Sequence, residues 1–307
     1  MFDLARLRVL HTVAGHGTLA AAADALHLTP SAISQQMSKL EREAGCRLVE
    51  RQGRRLRLTE EGLALAGHAS RILAAVEEAE ADLDERRGQV LGTLSVGAFP
   101  TAARGLLPGV VVSCASRFPD LRVRLREVEP YQALARVAGG DLDVAVVQDW
   151  RNVPVAVPDR LRSRDIGTDP ADVAFPPGHP FAARASVALA DLVAEPWIAS
   201  TEGTICYDWL TTTFRNAGHE PLVVHQAAEF PTQLALVAAG LGLALVPRMA
   251  ADAVPAGVRL VPVEPAMSRR IFAAWREESA RRPSVKAFVD TLCEEWRLTF
   301  DGQRRLG

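Results

Sequence analysis

No stretch of this chain stays apolar for the roughly 18 residues that a membrane-spanning helix needs, which excludes an integral helical membrane protein. The opening run MFDLARLRVLHTVAGHG is broken by charges and lacks the apolar centre of a signal peptide, so a cytoplasmic location is expected. Cysteine is scarce. Cys46, Cys114, Cys206 and Cys293 lie far apart, with no CxxC pair and no histidine at metal-ligand spacing. That pattern reads as reduced, buried thiols and excludes a disulfide framework or a metal site. Catalytic signatures are missing too: there is no GxSxG, HExxH, Walker loop or Cys–His arrangement. Gly240-Leu241-Gly242 is only half a dinucleotide fingerprint, since position 245 is Leu and the glycines follow a helical stretch. The seven histidines share no helical spacing. Neither an enzyme nor a bound cofactor is expected.

What is present is a chain of 307 residues, 48% hydrophobic and 23% charged, enough for two or more globular domains. Its net charge of −2 hides local imbalance. Residues 46–58 hold Arg47, Arg51, Arg54, Arg55 and Arg57 against Glu50 alone, whereas 77–85 hold six acids and no base. A local basic patch leaves nucleic-acid binding open.

The N-terminal pattern predicts three short helices. Leu4–Ala14 ends at Gly15 and Gly17, and Thr18 caps a second helix with Leu19, Ala22, Ala23 and Leu26 on one face. Thr29 caps a third, with Pro30 in its first turn. In the third helix Ile33, Met37, Leu40 and Ala44 form an apolar face, and Ser31, Ser34, Gln35, Ser38 and Arg42 form another. Short hydroxyls and an amide suit phosphates and base edges in a major groove. By itself this face is equally that of a solvated helix. Two short strands, Leu48–Arg51 and Leu56–Thr59, then enclose Gln52-Gly53-Arg54-Arg55 as an arginine-tipped hairpin. In that order the parts spell a winged helix-turn-helix.

The segment Leu7 to Gly62 resembles the DNA-binding domain of LysR-type transcriptional regulators, through Ala21, Ile33-Ser34, Leu40-Glu41, Gly45, Leu48, Arg51 and Leu58-Thr59-Glu60-Glu61-Gly62. Thr29-Pro30-Ser31 stands where Ser-Gln-Pro is commonest, and Val49 where an aromatic is more usual. Ser31, Ser34, Gln35 and Ser38 are expected on the bases, and Lys39, Arg51, Arg54 and Arg55 on phosphates or the minor groove. The partner is then double-stranded operator DNA, with RNA polymerase a further contact.

Thr59 caps a long helix in which Leu65, Ala69, Ile72, Val76, Ala79 and Leu83 alternate four and three residues apart, a heptad seam suited to a second copy of the chain. Packing on its own C-terminal half is the alternative. The resemblance implies a dimerising linker helix, with effector domains pairing dimers into a tetramer. From Gly92 apolar strands alternate with helices, an α/β pattern expected to form mostly parallel sheets. GTLSVGAF, RFPDLRVRL, GDLDVAVV and LVAAGLGLALVP resemble the family's effector-binding region, similar in fold to periplasmic solute-binding proteins. The expected layout is a winged helix-turn-helix at 1–58, a linker helix at 59–88 and an effector-binding domain at 89–307. Within that domain, subdomain I covers about 91–162 and 267–303, and subdomain II about 163–266, joined by crossing strands.

In open α/β sheets a ligand sits beyond the carboxyl ends of the strands, near helix N-termini. That rule selects Phe99 and Thr101 after the first strand and Gln148 after the third. In the second subdomain it selects Ser200, Thr201 and Glu202, then Glu229 and Phe230. Each hydroxyl could equally be a helix cap. If Asp149, Glu202 and Glu229 face inward, a cationic or hydroxyl-rich effector is expected; if outward, a carboxylate. A free-standing solute-binding protein is the rival reading, and it leaves the N-terminal residues without a role.

Overall fold

A computed structural model of the protein describes residues 1–26, 28–52, 55–251 and 254–301; at 51, 52, 55, 56 and 301 it describes the backbone alone. Arg54 lies outside the described residues, as do the side chains of Arg51 and Arg55.

Helices α1 (Leu4–His16), α2 (Leu19–Leu26) and α3 (Pro30–Ala44) enclose a core of Leu7, Leu10, Val13, Ala22, Ala23, Ile33, Met37 and Leu40. Asp3 caps α1, accepting from the Ala5 N–H at 2.8 Å, and Thr29 caps α3, accepting from the Ala32 N–H at 3.1 Å. Strands β1 (Val49–Gln52) and β2 (Arg55–Leu58) pair antiparallel as the wing. Glu41 holds the wing to α3, its Oε1 accepting from the Leu48 N–H at 2.9 Å and the Val49 N–H at 3.4 Å.

Helix α4 (Glu60–Arg87) starts at Thr59, whose hydroxyl accepts from the Gly62 N–H at 3.0 Å and donates to the Arg47 carbonyl at 2.8 Å. A Cβ on Gly62 would meet the Leu48 carbonyl oxygen at 2.0 Å, so only glycine lets the helix start so close to the wing. Ala66 and Ala69 pack into the N-terminal core, while Ile72 (39% exposed) and Leu83 (55%) point to solvent. The expected heptad seam is thus divided: its start faces α1 and its remainder is largely uncovered. A different face of α4, carrying Glu77 and Asp82, packs on the chain's own C-terminal half.

That half runs β3 (Gly92–Ala98), α5 (Pro100–Gly105), α6 (Leu107–Arg117), β4 (Leu121–Glu127), α7 (Pro130–Ala138), β5 (Val144–Trp150) and β6 (Leu161–Phe175). It continues β7 (Val187–Ala188), β8 (Pro196–Ala199), α8 (Ile205–Asn216), β9 (Leu222–Gln226), α9 (Phe230–Ala238), β10 (Ala244–Pro247), β11 (Arg259–Arg276) and α10 (Pro283–Trp296). The main sheet has the order β10-β6-β11-β5-β3-β4, with β7 beside β11, and β8 and β9 form a second sheet. The expectation of mostly parallel sheets needs correcting. Only β3–β4, β3–β5, β8–β9 and the short β7–β11 pairing are parallel, whereas β5–β11, β6–β11 and β6–β10 are antiparallel.

The reason is the long ribbon of β6 and β11, which pair from Arg259 opposite Phe175 to Arg276 opposite Leu161. At one end β11 joins β5, with β3 and β4 beyond; at the other β6 joins β10. The ribbon therefore links two lobes of one α/β unit. Among the described residues no helix is long and apolar enough to cross a membrane, and no group of three or more His, Cys, Asp or Glu forms a candidate metal site.

Candidate DNA-binding face and effector cleft

Helical periodicity drives Ile33, Met37 and Leu40 inward, so residues one position away emerge together on the opposite side. Ser31, Ser34, Gln35, Ser38, Lys39 and Arg42 are all exposed and line one shallow depression along α3, with no carboxylate among them. The arrangement can donate to phosphate oxygens and can pair an amide bidentately with adenine. The side chains of Arg51, Arg54 and Arg55 are outside the described residues, so only the placement of their hairpin beside α3 bears on them.

The second site lies where the ribbon passes between the lobes. A cleft of about 420 Å³ is lined by residues that include Phe99, Thr101, Gln148, Ser200, Glu229 and Phe230. These six expected residues come together from four separate segments of the chain. Thr201 and Glu202 do not join them. They sit exposed on a turn, where the Thr201 carbonyl accepts from the Thr204 hydroxyl at 2.6 Å and the Glu202 N–H donates to Gln226 at 3.4 Å. The cause is the extra turn between β8 and α8, which makes Thr204 rather than Thr201 the helix cap.

Sequence reasoning missed the residue on which the cleft is built. Arg269 is wholly buried (0% exposed) and stands directly opposite Asp169 in the ribbon. Its Nε donates to Asp169 at 2.9 Å, its Nη2 donates to the Thr101 hydroxyl at 2.8 Å, and its Nη1 donates to Gln148. The guanidinium also lies 5.0 Å from the centre of the Phe99 ring. Asp169 is held in turn by the Met249 N–H at 3.0 Å. Such a buried charge is tolerable only because carboxylate, amide and hydroxyl satisfy it together. Nothing in Ser268-Arg269-Arg270 says which arginine turns inward. Arg270 turns the other way and grips Asp149 at 3.0 and 2.7 Å, which takes Asp149 out of the cleft.

Also missed were Arg104, Glu129, Thr204 and Cys206. A Thr just ahead of an apolar helix was a legible cap signal for Thr204. The Glu129 carboxyl is pushed up by burial and by the neighbouring Glu127. Burial likewise pushes up the Cys206 thiol, although Arg269 opposes it. Behind the cleft the lobes are clasped by a stack of Trp150 on Trp209, with centroids 3.5 Å apart and planes 5° off parallel. A Tyr131–Asp208 hydrogen bond of 2.8 Å and an Asn152–Thr213 bond of 2.9 Å complete the clasp.

The lobe beyond the cleft meets the DNA-binding end through Arg276. Its Nη1 donates to the Val137 and Leu142 carbonyls at 2.7 and 2.6 Å, and its Nε and Nη2 grip Glu77 of α4 at 2.7 and 2.6 Å. His16 bonds Asp141 at 2.7 Å, and Arg281 bonds Asp82 at 3.0 Å.

Known proteins combine the same two parts. Residues 4–63 match the family model described as bacterial regulatory helix-turn-helix protein, lysR family, and residues 87–297 match the LysR substrate binding domain. The chain is 28% identical over 295 residues to the hydrogen peroxide-inducible genes activator of Dickeya chrysanthemi, covering 95% of each. It is 29% identical over 267 residues to the transcriptional dual regulator GltC of Bacillus subtilis, covering 86% of this chain and 87% of that one. Among solved structures, a full-length OxyR variant from Pseudomonas aeruginosa superposes with a TM-score of 0.71 at 23% identity, over 98% of this chain and 96% of that one. Full-length BenM gives 0.59 at 24% identity, over 98% of each. At those identities the two structures speak for the fold. A helix-turn-helix with a basic, acid-free recognition face, joined by one long helix to a two-lobed α/β unit, together with both family matches, makes this chain a member of the LysR family of DNA-binding transcriptional regulators.

Proposed function

We propose that α3 reads operator DNA in the major groove, with Ser31, Ser34, Gln35 and Ser38 on base edges and Lys39 on phosphate. The wing arginines Arg51, Arg54 and Arg55 complete the contact on the backbone or in the minor groove. The observation that carries this reading is the continuous face of hydroxyl, amide and basic side chains on α3, from which carboxylates are absent. A small-molecule effector occupies the cleft between the lobes. Its binding alters their angle about the β6–β11 ribbon and, through Arg276 and Glu77, the setting of the linker helix. The working unit is a homo-oligomer in the cytoplasm, paired along the uncovered part of α4 and assembled to a tetramer, with RNA polymerase as the downstream contact. Peroxide response, the property in the name of the Dickeya relative, finds no support in the thiols. Burial pushes Cys114, Cys206 and Cys293 up, and a protonated thiol is a poor nucleophile.

The test is a gel-shift titration on the DNA upstream of the chain's own gene with nonspecific competitor. A shift that resists competitor and is lost in Gln35→Ala supports the reading. A shift abolished by competitor at every upstream fragment counts against it.

A further inference from the structure

The effector cleft sorts its polar groups by depth, and the sorting describes a ligand. This inference rests on the cleft being the effector site. At the floor, Thr101 Oγ1 accepts from Arg269 at 2.8 Å and Ser200 Oγ accepts from the Gln233 amide nitrogen at 3.2 Å. A hydroxyl carries one proton, and neither a guanidinium nor an amide NH₂ can accept it. Among the described residues neither hydroxyl has a recorded acceptor, so both protons are left to face the cleft. Arg104 lies one turn beyond Thr101 on α5 and lines the same wall, adding positive charge where an acceptor is called for. Arg269 itself adds little net charge, because Asp169 offsets it at 2.8 Å.

The rim is of opposite character. Glu129 begins α7 on one lobe and Glu229 begins α9 on the other, and neither side chain caps its own helix. Both line the cleft. Glu129 is half-buried, and its charge is the poorly compensated one: burial and Glu127 both favour its neutral form. A cationic group between the two carboxylates would relieve that. Phe99 and Phe230 supply flat apolar walls.

We propose that the effector is a small amphoteric molecule bearing both a carboxylate and a cationic amine, an amino acid or a close chemical relative. Its carboxylate lies toward Thr101, Ser200 and Arg104, and its ammonium between Glu129 and Glu229. A plain carboxylic acid would leave two glutamates facing each other without a counter-charge as the lobes close. A plain amine would leave the two floor hydroxyls with nothing to donate to. A volume of about 420 Å³ accommodates a molecule of that size with the lobes closed around it.

The experiment uses the full-length protein. Thermal shift, followed by calorimetry on the best hit, is run with the standard L-amino acids, then with the amine-free acid and the acid-free amine of the same side chain. An amino acid that raises Tm while neither half-molecule does is the expected result. Glu129→Gln should weaken that ligand by about ten-fold or more, the usual loss for one charged hydrogen bond. Ser200→Ala and Thr101→Val should weaken it as well, with operator binding in a gel shift retained to show that the variants fold. Equal binding of the amine-free acid, or an affinity unchanged in Glu129→Gln and Glu229→Gln but lost in Ser200→Ala, overturns the amphoteric class and leaves the cleft as the site. A thermal shift that persists in Ser200→Ala and Thr101→Val overturns the cleft as well. No shift with any amino acid also overturns the class.

Discussion

At the scale of single residues, function and architecture make different demands of neighbouring positions. Gln35 is exposed, and replacing it with Ala should leave the fold intact while removing a bidentate base contact. A loss of about 1–3 kcal/mol in specific DNA binding, with nonspecific binding unchanged, is expected from competition gel shifts. Gly62, only a short way along the chain, is purely architectural. Ala at this position forces a Cβ against the Leu48 carbonyl, so the wing must shift from α4. A cost of roughly 1–3 kcal/mol is expected, read as a lower midpoint in urea with little change in slope. Arg269 shows where single residues stop being legible. Strand alternation sends Arg269 and Arg270 to opposite faces, but which one becomes the buried floor of a cleft depends on the register with Asp169, a hundred residues earlier.

At the scale of elements, the N-terminal helices and wing were legible because each signal is local: caps at Thr29 and Thr59, an apolar face of period 3.6, glycine where a helix must end. The ribbon was not. β6 contains Arg162, Arg164, Asp165 and Pro170 and buries mainly its far end, while β11 contains Pro262 and Pro265 at its register shift. Charged and proline-bearing runs do not read as strands, yet here they cross between lobes, where exposure changes along one strand. Six cleft residues could still be selected, because strand ends beside helix N-termini are positions set by topology. Thr201 and Glu202 fell outside because an added turn delays the start of α8.

The junction of α1 with the effector lobe makes a pH prediction at the same scale. His11 is held below the usual histidine range by burial, with Arg160 and Arg276 acting in the same direction and Asp141 and a hydrogen bond to the Ala138 backbone opposing. As pH falls below about 6.5 the unfolded chain takes up its proton first. The stability is therefore fully present above that pH and is lost as pH falls through the lower, folded value. Tm measured across that window should fall more steeply for the wild type than for His11→Gln; parallel curves would remove His11 from the account.

At the scale of the whole molecule, two faces of α4 carry two duties. One face is tied to the chain's own effector lobe by the Arg276–Glu77 grip, and Glu77→Ala should cost roughly 1–3 kcal/mol by leaving a largely buried guanidinium short of its charged partner. Differential scanning calorimetry would then show a lower Tm for the DNA-binding and effector halves together, since the grip joins them. The other face leaves Ile72 and Leu83 in solvent on a 28-residue helix. Apolar side chains repeated along one stripe at that exposure are costly unless a second surface covers them. A second copy of the same helix is complementary to it by symmetry. Ile72→Asp with Leu83→Asp places charges in that seam without touching Glu77, the cleft or α3. Light scattering should report an oligomer for the wild type and a smaller species for the double variant. Operator affinity should fall with it, because two recognition helices joined in one particle bind a paired site at an effective concentration that separate chains lack. If the double variant keeps the wild-type mass, the seam is not where the copies meet. The exposed stripe of α4 would then need a different occupant, while the reading of α3 and the cleft would stand.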